Sequence, residues 1–102
     1  MAHHAAVEWL ARTGDVQVRV MTLATGDGTP WHYHRHVSDD IFALDDGIEV
    51  ALRDPGEVSS LRPGQRVHVA PGRVHRVSNP GRSPARYLLV QGTGAYDFNE
   101  VE

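Results

Sequence analysis

The sequence predicts an all-β domain, an antiparallel sandwich or barrel, and three features of the chain lead to that prediction. Short stretches with strand-like patterns recur along residues 16–91, and turns that contain Gly or Pro separate them at even spacing. The intervening segments are too short for the helical crossovers that parallel sheets need. Valines alternate with Gln17 and Arg19 over residues 16–20, which is the period of a half-buried strand.

The individual strands are apolar or alternating runs that end at turn residues. Residues 5–12 precede them and are predicted to form a short helical or irregular segment, with Val7, Trp9 and Leu10 as an apolar patch and Gly14 as a stop. Asp54-Pro55-Gly56 and Asn79-Pro80-Gly81 are typical turns. We predict strands at residues 16–20, 31–36, 41–44, 48–53, 57–61, 66–70, 74–78 and 85–91.

Length and composition limit the range of functions. The 102 residues suffice for a single domain, 1–102, whose barrel core covers about 16–92. A hydrophobic fraction of 40%, a charged fraction of 23% and a net charge of −3 indicate a soluble folded domain. The arginines are scattered, which argues against a nucleic-acid partner. There is no cysteine, apolar runs are too short to span a membrane, and the start lacks the order of a signal peptide, so we expect a cytoplasmic protein.

Histidines and carboxylates concentrate in two places. The segment Pro30-Trp31-His32-Tyr33-His34-Arg35-His36 is followed by Asp39-Asp40, and about 40 residues downstream Pro71-Gly72-Arg73-Val74-His75 precedes Asn79. On a strand, histidines at positions i and i+2 point to the same face. Imidazole and carboxylate ligands suit Zn, Fe, Mn, Ni or Cu, so the pattern predicts one divalent metal ion.

In these motifs the sequence resembles the cupin superfamily. The second cupin motif has Gly, five residues, Pro-x-Gly, two residues, His, three residues and Asn, and here Gly64, Gly72, His75 and Asn79 keep that spacing, with the proline displaced by one to Pro71. The resemblance covers roughly residues 16–92 and is strongest to small single-domain bacterial cupins. It implies a double-stranded β-helix, or jelly-roll barrel.

The first cupin motif fits the sequence in two registers. One starts at Gly26 and gives His32, His34, Asp39 and His75 as metal ligands. The other starts at Gly28, matches every spacing as far as Gly47, and gives His34, His36, Asp40 and His75. The string Pro-Trp-His-Tyr-His and the following Val37-Ser38-Asp39 resemble the metal strand of single-domain bacterial cupins, so the first register is preferred.

The resemblance implies a metal-dependent oxidoreductase, similar to a dioxygenase, or an isomerase, acting on a small polar organic molecule. Aspartate stands where most of the family has glutamate, which weakens the transfer of any particular activity. The fold hosts many reactions. The alternative is therefore a cupin module that binds or senses a small ligand without turnover.

Three further residues are candidate substrate contacts, and the exposed surface suggests assembly. Arg73, beside His75, is a candidate clamp for a carboxylate, and Tyr87 and Gln91 share one face of the last long strand. Residues 41–44 are apolar on both strand faces, so the outer face needs a cover. We expect a homodimer to supply it. A monomer whose tail folds over that face through Tyr96 and Phe98 is the alternative.

Overall fold

The computed structural model describes residues 5–102, which form ten β-strands, and residues 1–4 lie outside this description. No helix within the described residues is long and apolar enough to cross a membrane. The strands are β1 (Ala5–Arg12), β2 (Val16–Leu23), β3 (His32–Tyr33), β4 (Ser38–Ala43), β5 (Glu49–Leu52), β6 (Glu57–Ser60), β7 (Arg66–Val69), β8 (His75–Ser78), β9 (Ala85–Gly92) and β10 (Asn99–Glu100).

The strands form two five-stranded antiparallel sheets, which confirms the all-β prediction. One sheet has the order β1-β2-β9-β4-β7 and the other β10-β3-β8-β5-β6. Neighbouring strands in each sheet are mostly distant in the chain, as expected for a double-stranded β-helix. Buried side chains from both sheets form one core, which includes Leu23, Ile41, Ala43, Ile48, Val50, Leu61, Val69, Val77, Ala85, Tyr87 and Leu89.

Two local predictions are wrong. The segment predicted as helical or irregular is strand β1, which pairs along its length with β2 and has one bulge between Trp9 and Ala11. An isolated eight-residue helix is marginal, whereas the edge of β2 offers a full row of backbone hydrogen bonds. Of the extended stretch predicted at residues 31–36, only β3 is a strand, because the chain bends inward after Tyr33.

On strand β2 the polar side chains face the barrel interior and the valines face outward, which is opposite to the usual arrangement in an antiparallel sheet. Gln17 is buried, Leu23 lies in the core, and Arg19 and Met21 line an internal cavity, so this alternate set faces inward. The valines at 16, 18 and 20 therefore face outward and remain partly exposed. A normal sheet would bury the valines and expose the polar residues. Polar side chains of β2 therefore lie in the barrel interior, and one of them, Arg19, borders the cavity.

Candidate metal centre

Four side chains from three strands and one adjoining loop meet inside the barrel. His32 lies on β3, His34 follows it, Asp39 lies on β4, and His75 begins β8. One possible ligand atom from each residue lies within 4.8 Å of the others. All four are buried, with exposed fractions of 1–4%. The backbone pairing of His32 with His75 and the i, i+2 relation of His32 and His34 bring the three rings to one place.

Each of the three imidazoles is fixed by a hydrogen bond to a backbone carbonyl. His32 Nδ1 lies 2.8 Å from the Pro30 carbonyl oxygen, His34 Nδ1 2.6 Å from that of Asp97, and His75 Nδ1 2.8 Å from that of Arg73. A carbonyl only accepts, so each Nδ1 carries the proton and donates. The Nε2 atoms are left facing the cluster. In proteins generally, such a hydrogen bond fixes the orientation and the tautomer of a metal-ligating histidine.

Asp39 lies within hydrogen-bonding distance of three side chains, those of His34, His75 and Gln91. Its Oδ2 lies 2.9 Å from His75 Nε2 and 3.3 Å from His34 Nε2. Its Oδ1 accepts a 2.8 Å hydrogen bond from the Gln91 amide. The short aspartate side chain therefore reaches the histidines, although most members of the family that the motif resembles have the longer glutamate at this position. Both carboxylate oxygens are held in a fixed orientation.

The protonation of the cluster follows from burial and from the charge of Asp39. Burial lowers the pKa of His32 from 6.5 to about 4, with the neighbouring His75 acting in the same direction. Burial also acts to lower the pKa of His34, but the hydrogen bond and charge of Asp39 outweigh it and raise that pKa. Burial acts to raise the pKa of Asp39, yet hydrogen bonds from His34 and His75 hold it well below its usual range. The two shifts favour the charged forms of both His34 and Asp39.

The donor set fits a divalent transition-metal ion. Three imidazole nitrogens and one carboxylate oxygen suit Zn, Fe, Mn, Ni or Cu. Binding of such an ion would require these ligand atoms to be deprotonated. The buried carboxylate gives the ion a partner charge in a region that water barely reaches.

The four residues of the alternative register do not come together in the structure. His36 is exposed, and Asp40 points to the outer face of β4. There Asp40 accepts a 2.8 Å hydrogen bond from His68 Nδ1 and lies 3.6 Å from an Arg66 guanidinium nitrogen. The reason is the two-residue period of β4, since the inward position of Asp39 forces Asp40 outward. His34 and His75, common to both registers, are in the cluster.

A cavity adjoins the cluster and is lined by His32, His34 and Asp39. Two of the three candidate substrate contacts also line it. Its empty space is about 350 Å³, counting the open mouth. Tyr87 and Gln91 are in its wall, and burial raises the pKa of the Tyr87 hydroxyl, so it stays protonated. Arg73 lies elsewhere: its guanidinium donates to the carbonyls of Arg53 and Pro55, at 2.7 and 2.9 Å, and so braces the turn between β5 and β6.

Sequence reasoning did not place the side chains of Arg19, Tyr96 and Phe98 at the cavity. The alternation of Arg19 with the valines did not indicate which face of β2 is internal, and Tyr96 and Phe98 were expected only as an alternative cover for the outer face. The C-terminal tail instead crosses the cavity mouth, where β10 pairs with β3 and the Phe98 ring stacks on His32. The alternation of Tyr96 and Phe98 just before β10 was the available signal.

Comparison with known proteins agrees with this architecture. The family model described as "Cupin domain" matches residues 19–91. The chain belongs to the cupin family. An uncharacterized conserved protein with a double-stranded β-helix domain from Klebsiella pneumoniae shares 26% identity and a TM-score of 0.83 over 96% of this chain and 80% of its own. A cupin 2 domain-containing protein from Halorhodospira halophila has a TM-score of 0.81 at 19% identity, over 96% of this chain and 70% of its own.

One curated relative is a much larger protein. A mannose-1-phosphate guanylyltransferase of Sinorhizobium fredii is 31% identical over 80 residues, which are 78% of this chain. This cupin chain spans 15% of the length of that relative. The match therefore concerns one segment of the larger protein.

Proposed function

We propose that this cupin binds one divalent metal ion through His32, His34, Asp39 and His75 and uses it on a small polar organic molecule. The observation that carries the proposal is the set of three Nδ1–carbonyl hydrogen bonds, which leave three Nε2 atoms available as ligands in a cluster whose ligand atoms lie within 4.8 Å of one another. Histidines that serve only as core packing have no need to share one orientation. The arrangement is that of a preorganised ligand set.

The reaction class that fits is a metal-dependent oxidation, similar to that of a dioxygenase, or an isomerisation. A divalent ion supplies Lewis acidity and coordination positions for substrate oxygens. The residues of the chain supply the rest. The buried aromatic wall limits water at the site, Gln91 orients the Asp39 carboxylate, and the protonated Tyr87 hydroxyl faces the cavity as a hydrogen-bond donor.

Metal analysis of protein purified without a nickel column tests the site. We expect close to one ion per chain in the wild type, and loss of it in His75→Ala, because His75 contributes in either register. The matched control is His68→Ala, which removes an exposed histidine that bonds to Asp40 on the outer face. Equal metal content in both variants would contradict the proposed site.

Turnover separates an enzyme from a module that only binds a ligand. The metal-loaded wild type and His75→Ala are incubated with a panel of small hydroxy and keto acids, and oxygen uptake and product formation are followed. Metal-dependent turnover by the wild type alone supports the enzyme. Saturable binding without turnover across the panel would instead identify a binding or sensing cupin.

A further inference from the structure

Arg19 is a cation inside the barrel without an acidic partner. It lies on the inward face of β2 and lines the cavity beside the metal cluster. One guanidinium nitrogen donates a 2.7 Å hydrogen bond to Gln91 Oε1, and Nε is buried with no acceptor. None of the ion pairs found within residues 5–102 includes Arg19. Arginine has five N–H donors, so this side chain has unused capacity for an anion.

The surroundings of Arg19 keep its guanidinium in a fixed place. The Trp9 ring centroid is 4.8 Å from the guanidinium carbon, and that of Tyr96 is 5.5 Å away. Aromatic faces attract the cation but accept no conventional hydrogen bond, so the N–H groups stay available. A half-buried charged side chain without an acidic partner lowers the stability of the folded protein. The position is therefore better explained by a ligand.

Gln91 links Arg19 to the metal cluster. Its Oε1 accepts from Arg19, and its Nε2 donates to Asp39 Oδ1 at 2.8 Å and lies 3.3 Å from His34 Nε2. The length of one side-chain amide thus separates the guanidinium from the carboxylate and imidazole of the cluster. A molecule of two to four carbon atoms spans such a distance, at roughly 1.5 Å per bond. The cavity, with about 350 Å³ including its mouth, has ample room for a molecule of that size.

We propose that Arg19, positioned by Gln91, binds the carboxylate of a small organic acid whose second oxygen function reaches the metal. This rests on the metal site proposed above. Within the cavity wall Asp39 is the one carboxylate, so a divalent ion and Arg19 together leave a net positive charge for an anionic ligand to balance. The planar fork of the guanidinium matches the two oxygens of a carboxylate. Neutral sugars or alcohols would leave that charge unpaired.

The probe pair is glycolate and glycolamide, which have the same shape and differ in charge. Calorimetric titration of the zinc-loaded wild type is expected to give at least tenfold tighter binding of glycolate than of glycolamide, as a charged hydrogen-bonded pair warrants. In Arg19→Met the preference for glycolate should fall about tenfold to a hundredfold, and Arg19→Lys should restore part of it. Metal content is measured in each sample.

The matched control is Arg12→Met. Arg12 also stacks on Trp9, at 4.4 Å, but it is exposed outside the cavity, so its loss should leave glycolate binding unchanged. Equal binding of glycolate and glycolamide by the wild type would overturn the carboxylate assignment without requiring any variant. So would an Arg19→Met protein with full metal content and undiminished glycolate preference. Absence of metal from the wild type would instead contradict the proposed metal site itself.

Discussion

The ring of Phe98 lies nearly parallel to that of His32, with centroids 4.3 Å apart and an interplanar angle of 16°. Phe98 belongs to the tail that β10 fastens to β3, and its ring is 40% exposed. The tail therefore forms the outer wall of the histidine cluster, and a side chain at the surface shields a buried imidazole from solvent. Tyr96 lies beside His34 in a tilted arrangement, with centroids 5.3 Å apart and an interplanar angle of 37°.

Removal of this ring should open the site. We expect Phe98→Ala to lower the free energy of unfolding by about 1 kcal/mol, the usual value of one aromatic pair. Metal extraction by a chelator should become several-fold faster. Phe98→Tyr keeps the stacked ring and serves as the control. Identical extraction rates in Phe98→Ala and wild type, measured by stopped-flow absorbance of the chelator, would show that the tail does not cover the metal.

The choice between the two ligand registers is decided by a pair of histidine substitutions. His32→Ala should abolish stoichiometric metal binding, because a buried ligand is lost from the cluster. His36→Ala should retain it, since that ring is exposed. Elemental analysis of both proteins after identical purification is the measurement. If only His36→Ala loses metal, the site consists of His34, His36, Asp40 and His75.

The metal-free protein should lose stability as the pH falls from about 6.5 towards 4. His32 has a folded pKa of about 4, lowered from 6.5, so the unfolded chain binds a proton in this window that the folded chain excludes. The raised pKa of His34 stabilises the folded protein, and this contribution is fully present below pH 6.5. The depressed pKa of Asp39 also stabilises it, and that contribution is lost only below pH 3.8. Neither opposes the effect of His32 within the window.

Urea unfolding in the presence of a chelator at pH 7 and pH 5 measures this dependence. The His32 effect across the whole window is at most about 3 kcal/mol, from 1.36 kcal/mol per pH unit. His32→Gln should flatten the slope, whereas His36→Gln, an exposed histidine, should leave it as in the wild type. If the free energy of unfolding of His32→Gln depends on pH as steeply as that of the wild type, His32 is not the group responsible.

Asn79 connects the second motif to the barrel wall. It is fully buried, its amide donates to the carbonyls of Leu23 and Ser83 at 3.0 and 2.8 Å, and its Oδ1 accepts from the Gly81 N–H at 3.0 Å. These three hydrogen bonds fix the turn Asn79-Pro80-Gly81, which the sequence predicts. Gly47 passes close by with a φ of +105°, where an added Cβ would lie 3.0 Å from Asn79 Oδ1.

Asn79→Ala should destabilise the protein by about 2–4 kcal/mol, because a buried carbonyl, a second carbonyl and one N–H lose their partner. Asn99→Ala is the control, since Asn99 is partly exposed and makes one 3.3 Å hydrogen bond to the Tyr33 carbonyl. Its cost should stay below about 1 kcal/mol. Chemical denaturation of both variants compares the two. Equal losses would mean that the turn is held by its backbone alone.

The sequence was informative where the signal is local. Turn residues and alternating runs located eight of the strands, and motif spacing pointed to the four residues that meet inside the barrel. It failed where tertiary contacts decide the outcome. Strand β1 has no strand-like pattern of its own and exists because β2 offers an unpaired edge. Which face of β2 is internal depends on the partner β9, so the inward position of Arg19 was not recognised.

The last prediction concerns assembly and follows from the outward valines of β2. Across the strand pairs, Val18 faces Val90, while Val20 and Phe42 both flank Leu88, so apolar side chains form a continuous patch on the outer face. These side chains are only partly buried by the chain itself. The tail does not cover them, because it crosses the cavity mouth on the other side of the sheet. A second copy of the chain, related by a two-fold axis, would cover the patch with the same patch.

We therefore predict a homodimer joined through this face. Light scattering at micromolar concentration should give twice the monomer mass of 11.2 kDa. Val20→Glu places a charge in the patch and should yield a folded monomer, since a buried unpaired carboxylate opposes association. Val58→Glu is the control, because Val58 is 66% exposed on β6 of the other sheet, and this variant should remain dimeric. A wild-type mass near 11.2 kDa would reject the dimer, and dissociation by both substitutions would place the interface elsewhere.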